Sequence, residues 1–158
     1  MPTEPQLASV TEYEDIEQTL KKKIPQSVQV SLIPKLSNNH VNGFSGFEVT
    51  RPIPYDEVRE AVLLLNEALQ PCPKDVAIKA MFALKVRTAN TPADREIAEE
   101  RIGLYLADLQ SYPQDVVVSA CRSIANQSPY FPAWANLLRE LEWRVRKRVK
   151  MLEALNAI

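Results

Sequence analysis

Features that catalytic and metal-binding proteins use are scarce in this sequence of 158 residues. It has only three glycines, and no GxxxxGK or GxGxxG loop for holding phosphate can be written. Two cysteines, Cys72 and Cys121, cannot build a disulfide framework, and the single histidine, His40, cannot complete a zinc site with them. These shortages argue against most enzymes, so we expect a protein without a catalytic site, metal or cofactor.

Excess charge and long apolar runs are also missing. Lys and Arg number 19 against 20 Asp and Glu, and a formal net charge of -1 excludes a uniformly basic coat for nucleic acid. No apolar run approaches the ~18 residues of a membrane span, and the N-terminus lacks the basic and apolar regions of a signal peptide. We therefore expect no membrane association and a location in the bacterial host cytoplasm.

Residues 1–53 predict a flexible N-terminal segment, because six of the twelve prolines fall in residues 1–54. A short helix at 11–23 is predicted, with acidic residues at its start and basic residues at its end. Alternation in Ser27-Val-Gln-Val-Ser-Leu32 is typical of a strand, and a hairpin turning through residues 38–43 is one interpretation. The favoured alternative is an extended linker that docks Phe44 and Phe47 on the remaining domain.

From Tyr55 onward the apolar residues follow a helical period, and proline-containing breaks separate the segments. The pattern predicts helices at about 55–70, 74–89, 92–110, 114–126 and 132–155. The expected fold class is all-α, a small bundle of about five helices in a domain covering 54–158. Two helical hairpins and a long basic C-terminal helix make up this bundle, preceded by the mostly extended N-terminal segment.

A weak internal repeat supports the two hairpins. With a shift of 40 residues, Pro73-Lys-Asp-Val falls on Pro113-Gln-Asp-Val. The helix at 74–89 is predicted to be buried on most sides, and the apolar segments centred near Met81 and Cys121 are predicted to bury each other. Thr91 is the expected N-cap of the third helix of the bundle, and the spacing of Ser111 and Gln114 predicts a capping box for the fourth.

The C-terminal helix concentrates positive charge, with six cations against three acids in residues 139–153. A helical projection predicts one apolar stripe, comprising Leu138, Leu141, Val145, Val149 and Leu152. Three interpretations of the basic side chains stay open: a polar face whose long stems cover apolar neighbours, a surface for an acidic protein, and contact with nucleic-acid phosphates. Trp143 points away from the stripe, which favours a partner.

The candidate partner-binding residues are therefore the basic side chains of this helix, its tryptophan and the aromatic pair in the preceding turn. They are Arg139, Trp143, Arg144, Arg146, Lys147, Arg148, Lys150, Tyr130 and Phe131. The acidic cluster at Glu96, Glu99 and Glu100 is interpreted as a solvated helix face, since no second helix supplies the Glu-x-x-His motif of a di-metal bundle.

Residues 104–144 read LYLADLQSYPQDVVVSACRSIANQSPYFPAWANLLRELEWR. The Tyr-Pro-x-Asp-Val break, the Tyr-Phe-Pro turn and the following Leu-x-x-Glu helix resemble the small helical domain of the phage loader-and-inhibitor family of the hexameric replicative helicase. The resemblance implies an all-helical protein that binds the helicase, holds it inactive and delivers it to the origin-bound initiator. The matching positions look like scaffold and transfer no functional residue. That family's contact region is a flexible C-terminal tail, whereas helix is predicted here.

The expected function is thus that of a non-enzymatic phage- or prophage-type DNA replication accessory protein. It would act by occupancy of a replicative helicase or a related replication factor, with the segment at 11–23 and the basic helix making contact. The alternative is a nucleic-acid-binding regulator that uses the basic helix. No oligomeric state is predicted, because the apolar run of the last helix covers about two heptads, short of a usual coiled coil.

Overall fold

The computed structural model describes Leu7 and residues 11–36 and 44–158 of the chain. Within this part the protein has seven α-helices and one two-stranded antiparallel sheet. The helices are α1 (Tyr13–Lys23), α2 (Gln26–Ser31), α3 (Tyr55–Ala68), α4 (Lys74–Thr88), α5 (Pro92–Leu109), α6 (Gln114–Gln127) and α7 (Trp134–Asn156), and the strands are β1 (Leu32–Leu36) and β2 (Phe44–Val49). The mostly helical class is confirmed. The described residues contain seven helices rather than about five, and they contain a small sheet where an extended linker was the favoured interpretation and a hairpin the other.

The chain divides into two compact units, and the predicted boundary at residue 53 falls inside the first of them. The first unit combines Met1–Leu69 with Arg146–Ile158, and the second is Gln70–Val145. The described N-terminal elements and α3 therefore belong with the end of α7, and the middle of the chain forms its own body. None of the helices in the described part of the chain has both the length and the apolarity needed to cross a bilayer.

A regular series of apolar residues near the N-terminus supplies part of the core of the first unit. Ile16, Leu20, Ile24, Val28 and Leu32 recur at every fourth position and are all buried, at most 7% exposed. The cluster also contains Leu7 and a second set from α3 and α7, namely Ala61, Leu64, Leu65, Ala68, Met151 and Leu155. The burial of this series explains why these described residues fold, although their apolar stripe alone is thin.

A hairpin is present, but its first strand starts later than the sequence indicated. The strand predicted at residues 27–32 falls mostly in the short helix α2 (Gln26–Ser31), and β1 pairs with β2 from Leu32 opposite Val49 to Leu36 opposite Phe44. The predicted turn at 38–43 lies outside the described residues, as does His40. Gly46 has a φ of 152°, a conformation that favours glycine, beside the irregularity between Lys35 and Leu36.

In the second unit α4 and α6 pack side by side, which confirms the predicted pairing of the two apolar segments. The Cys121 Sγ and Met81 Sδ atoms are 3.9 Å apart, and the Cys72 N–H donates to the Tyr112 carbonyl oxygen at 2.8 Å. Both pairs join positions 40 residues apart, the shift of the internal repeat. Because equivalent residues meet before the helices and again at their middles, α4 and α6 run parallel.

The expectation that α4 is buried on most sides is wrong. Only Ala77, Met81, Leu84 and Thr88 are fully buried along it. Phe82 is 47% and Val86 77% exposed, so one apolar side of this helix is open to solvent. The prediction assigned these side chains to the core because they are apolar. Within this unit, however, α5 and α6 cover only the opposite side of α4.

The start of α5 has the predicted cap and the start of α6 does not. The Asp94 N–H donates to the Thr91 hydroxyl oxygen at 3.1 Å, with Pro92 in the first turn. In contrast, α6 begins after Pro113 without a side-chain cap, and the Ser111 hydroxyl donates instead to the Asp108 carbonyl oxygen at 2.7 Å. The capping box is therefore wrong, because Ser111 is bonded to the end of the preceding helix.

Candidate partner-binding surface

The fully buried side of α7 is a heptad-like stripe that contains two arginines. Its buried members are Leu137, Leu141, Arg144, Val145, Arg148, Met151 and Leu155. Apart from Val145, these residues are spaced alternately four and three apart, which puts them on one helix face. The predicted stripe comprised apolar side chains only. Its members Leu141 and Val145 are buried, whereas Leu138, Val149 and Leu152 are half-buried. Two cations that the prediction did not include, Arg144 and Arg148, lie buried on this face.

Arg144, 7% exposed, is held inside the second unit by bonds to Glu140 and Ser119. Its guanidinium pairs with the Glu140 carboxylate at 2.6 Å, one helical turn back. The Nε of Arg144 also donates to the Ser119 hydroxyl on α6 at 2.9 Å, and the Glu140 carbonyl accepts a further bond at 2.9 Å. This arginine therefore joins α7 to α6, which corrects its assignment to a partner-binding face.

Arg148, 1% exposed, has the same role in the first unit. Its Nε donates to the Glu17 carboxylate of α1 at 2.9 Å, and one of its terminal nitrogens donates to the Ala68 carbonyl at the end of α3 at 2.9 Å. Its guanidinium also lies 5.6 Å from the centre of the Tyr13 ring. The buried charge is thus compensated by a carboxylate, a helix-terminal carbonyl and an aromatic face. It is not available to a partner.

The other four cations of α7 remain nearer to solvent. Arg139 and Lys147 are exposed, and Arg146 and Lys150 are half-buried. The Lys150 ammonium pairs with the Glu153 carboxylate at 3.2 Å. The exposed positive charge of the helix is therefore smaller than the composition indicates, which weakens the case for a row of phosphate contacts.

Trp143 is 57% exposed although its indole is among the largest apolar groups in the chain. The Arg144 guanidinium lies 4.8 Å from the centre of its ring, a cation–π geometry that holds the indole against the helix. Arg139 is four residues earlier on the same helix face and is also exposed. We call Trp143 and Arg139, both in the second unit, the tryptophan surface.

The aromatic pair before α7 divides into one exposed and one buried residue. Tyr130 is 71% exposed. Phe131 is 7% exposed, its ring stacks on Tyr105 with centroids 6.5 Å apart, and its carbonyl accepts a bond from Arg101 at 3.0 Å. Phe131 is therefore a core residue that fixes the turn, and the prediction that it contacts a partner is wrong. Tyr130 stays a candidate.

Behind the tryptophan surface, Tyr112 links the loop before α6 to α7. Its hydroxyl donates to the Glu142 carboxylate at 2.7 Å. Burial raises the pKa of this phenol above its ordinary value, and the hydrogen bond and the negative charge of Glu142 act in the same direction. The phenol therefore stays protonated, and its hydrogen bond to Glu142 holds α7 against the loop before α6.

The two cysteine thiols and Glu99 make contacts within the described part of the chain. Burial raises the pKa of the Cys72 thiol to about 11 and that of the Cys121 thiol to about 12, so neither is an activated nucleophile. Glu99 pairs with Lys85 at 2.6 Å on the surface. Among the described residues no group of three or more His, Cys, Asp or Glu side chains could hold a metal ion.

The first unit has two cavities beside the exposed Lys147. One, of about 220 Å³, is lined by residues of α1 and α7, including Lys21, Leu20 and Met151. The other, of about 410 Å³, is lined by hairpin residues, including Phe44 and Phe47, and by Lys147 and Met151. Lys147 thus keeps its place in the candidate set as an exposed cation that lines both cavities.

Comparison with known proteins adds no further information on the site. No family model, no curated protein and no solved structure matches this chain.

Proposed function

We propose that this protein is a non-enzymatic accessory factor of phage- or prophage-type DNA replication that acts in the host cytoplasm. In this role it binds a replicative helicase or a related replication factor through the tryptophan surface. The observation that carries the proposal is the 57% exposure of Trp143 with a guanidinium on its ring. Tryptophan and arginine are the residues most enriched at the energetic centres of protein interfaces.

The mechanism we propose is occupancy, in the manner of a loader or inhibitor. A bound protein shifts the conformational equilibrium of its target only by the difference between its affinities for the two states. A rigid docking surface suits this role, since little conformational entropy is lost on binding. The buried bonds of Arg144 to Ser119 and Glu140 supply such rigidity directly behind Trp143.

The internal pairing of several cations of α7 favours recognition of a protein over recognition of phosphate. Arg144 and Arg148 are buried in internal bonds, and Lys150 is paired with Glu153. A phosphate-binding helix needs cations that release counterions from the nucleic acid, and each internal pair removes one. The nucleic-acid-binding alternative therefore depends on few side chains, chiefly Arg139 and Lys147.

The test is binding of the full-length chain to a purified bacterial replicative hexameric helicase, measured by biolayer interferometry. Trp143→Ala should weaken the complex by about 30-fold, equivalent to about 2 kcal/mol for a central interface tryptophan. Tyr55→Ala is the matched control, because Tyr55 is an aromatic residue 76% exposed in the other unit. Equal weakening by both variants, or no complex with the unmodified chain, would contradict the proposal.

A further inference from the structure

A groove that the proposed function does not use lies between α4 and α6. It has a volume of about 360 Å³ and lies entirely within the second unit. Its walls are mostly small or apolar side chains, among them Ala80, Ala83 and Leu84 of α4 and Val118, Cys121 and Ala125 of α6. The open apolar side of α4, with Val86 77% exposed, belongs to the same helix.

The polar residues of this groove all have one sign. Lys79 and Arg87 of α4 and Arg122 of α6 line it, and all three are exposed. No carboxylate is among its lining residues in the described chain. The only acids of the two helices are Asp75 and Asp115 in their first turns. A positive rim around an apolar floor is thus set in a chain whose net charge is -1.

The size and shape of the groove suit a helix. From Val76 to Arg87 the groove-lining part of α4 extends for about 17 Å at ~1.5 Å per residue, roughly three helical turns. Alanine side chains at the contact let a second helix approach to about 8 Å between axes. Apolar side chains on the floor of the groove make no favourable interaction with phosphate groups. An amphipathic helix, in contrast, can bury its apolar face there and place acidic side chains against the basic rim.

We propose that the groove between α4 and α6 binds an acidic amphipathic helix of a partner protein. Its apolar face would cover Ala80, Ala83 and Val118, and its carboxylates would lie against Lys79 and Arg87. The inference is independent of the helicase proposal, because no groove residue belongs to α7.

The probe is a designed helical peptide of about 15 residues, with leucines on one face and glutamates flanking them, long enough to cover three turns. A second peptide carries lysine at every glutamate position, and a third has the acidic composition in scrambled order. Fluorescence anisotropy with the full-length chain measures the three affinities. We expect micromolar binding of the acidic helix and at least about tenfold weaker binding of the other two.

Two variants localise the binding to the groove. Lys79→Glu combined with Arg87→Glu should weaken the acidic peptide by about tenfold or more and strengthen the lysine peptide. Ala83→Trp should block the groove, and it should not disturb the core because Ala83 is exposed. The matched controls are Arg95→Glu and Ala93→Trp, both at exposed positions of α5 outside the groove, and they should change affinity by less than about twofold.

Circular dichroism establishes whether each variant is folded. If a variant does not fold, the comparison of the three peptides on the unmodified chain still tests whether the groove binds an acidic helix. Failure of the acidic helix to bind, or equal binding of the lysine peptide, would overturn the inference. So would a single-stranded oligonucleotide that binds instead and is lost in the charge-reversed variant. A chain whose self-association is abolished by Ala83→Trp, with no peptide binding, would assign the groove to a second copy and also overturn it.

Discussion

The guanidinium of Arg148 donates a hydrogen bond to the carbonyl oxygen of Ala68 at 2.9 Å, although 80 residues separate them. Ala68 is the last residue of α3, so its carbonyl is one of those that a helix leaves without an internal partner. The same guanidinium pairs with Glu17 on α1. One buried cation thus joins α1, α3 and α7 within the first unit.

Replacing Arg148 with alanine should therefore destabilise the protein strongly. Removing one member of a buried charge network costs about 3–5 kcal/mol, because the remaining polar groups lose their partner. Lys147→Ala changes the neighbouring cation, which is exposed, and should alter the free energy of unfolding by less than about 0.5 kcal/mol. Urea unfolding followed by circular dichroism measures both. Coincident unfolding curves for the two variants would show that Arg148 has no such role.

Neighbouring positions on α4 should respond very differently to truncation. Met81 is fully buried against Cys121, so Met81→Ala should cost about 2–5 kcal/mol. Phe82→Ala removes a larger side chain that is 47% exposed, and it should cost about 1 kcal/mol or less. The same urea measurement compares them. A larger loss for Phe82→Ala than for Met81→Ala would mean that α4 is rotated relative to the described packing.

The two buried thiols predict a loss of stability at alkaline pH. Burial raises the pKa of Cys72 to about 11, with the negative charge of Asp75 acting in the same direction, whereas an unfolded thiol titrates near ~8.5. Protons are then released on unfolding, so stability is complete below pH ~8.5 and falls as pH rises toward 11. Unfolding measured between pH 8 and 10.5 should show this decline, and Cys72→Ala should make it shallower.

Thiol labelling gives an independent check. At pH 8 both cysteines should react with an alkylating reagent far more slowly in the native protein than in urea. Equal rates in the two conditions, or a pH profile that Cys72→Ala leaves unchanged, would contradict the buried, protonated state.

The sequence was sufficient for the bounds of the longer helices. Proline breaks and the cap at Thr91 are local signals, so α4, α5 and α7 begin and end within two residues of their predicted limits. The alternation of apolar residues at 27–32 wrongly indicated a strand, because those residues also belong to a longer helical pattern. The every-fourth-residue series from Ile16 to Leu32 is that pattern, and it would have indicated α1, α2 and their shared core.

The positions of Arg144 and Arg148 could not be read from the sequence in the same way. A helical projection sorts residues by hydropathy, and an arginine is buried only where a distant group compensates its charge. The compensating carboxylate of Glu17 is 131 residues away from Arg148, and the Ser119 hydroxyl is 25 residues from Arg144. Composition therefore overestimated the basic surface, while the exposed Trp143 followed from its position opposite the apolar stripe.

The salt dependence of binding tests the central claim, recognition of protein through the tryptophan surface, most directly. The affinity of the full-length chain for the replicative helicase should fall by less than about fivefold between ~50 and ~200 mM salt. Salt screens interactions between charges, whereas the indole is neutral and contributes by being buried at the interface. Binding to single-stranded DNA over the same range should be weak throughout. A loss of about a thousandfold for helicase, or tight DNA binding with that steep slope, would show that the protein recognises phosphate.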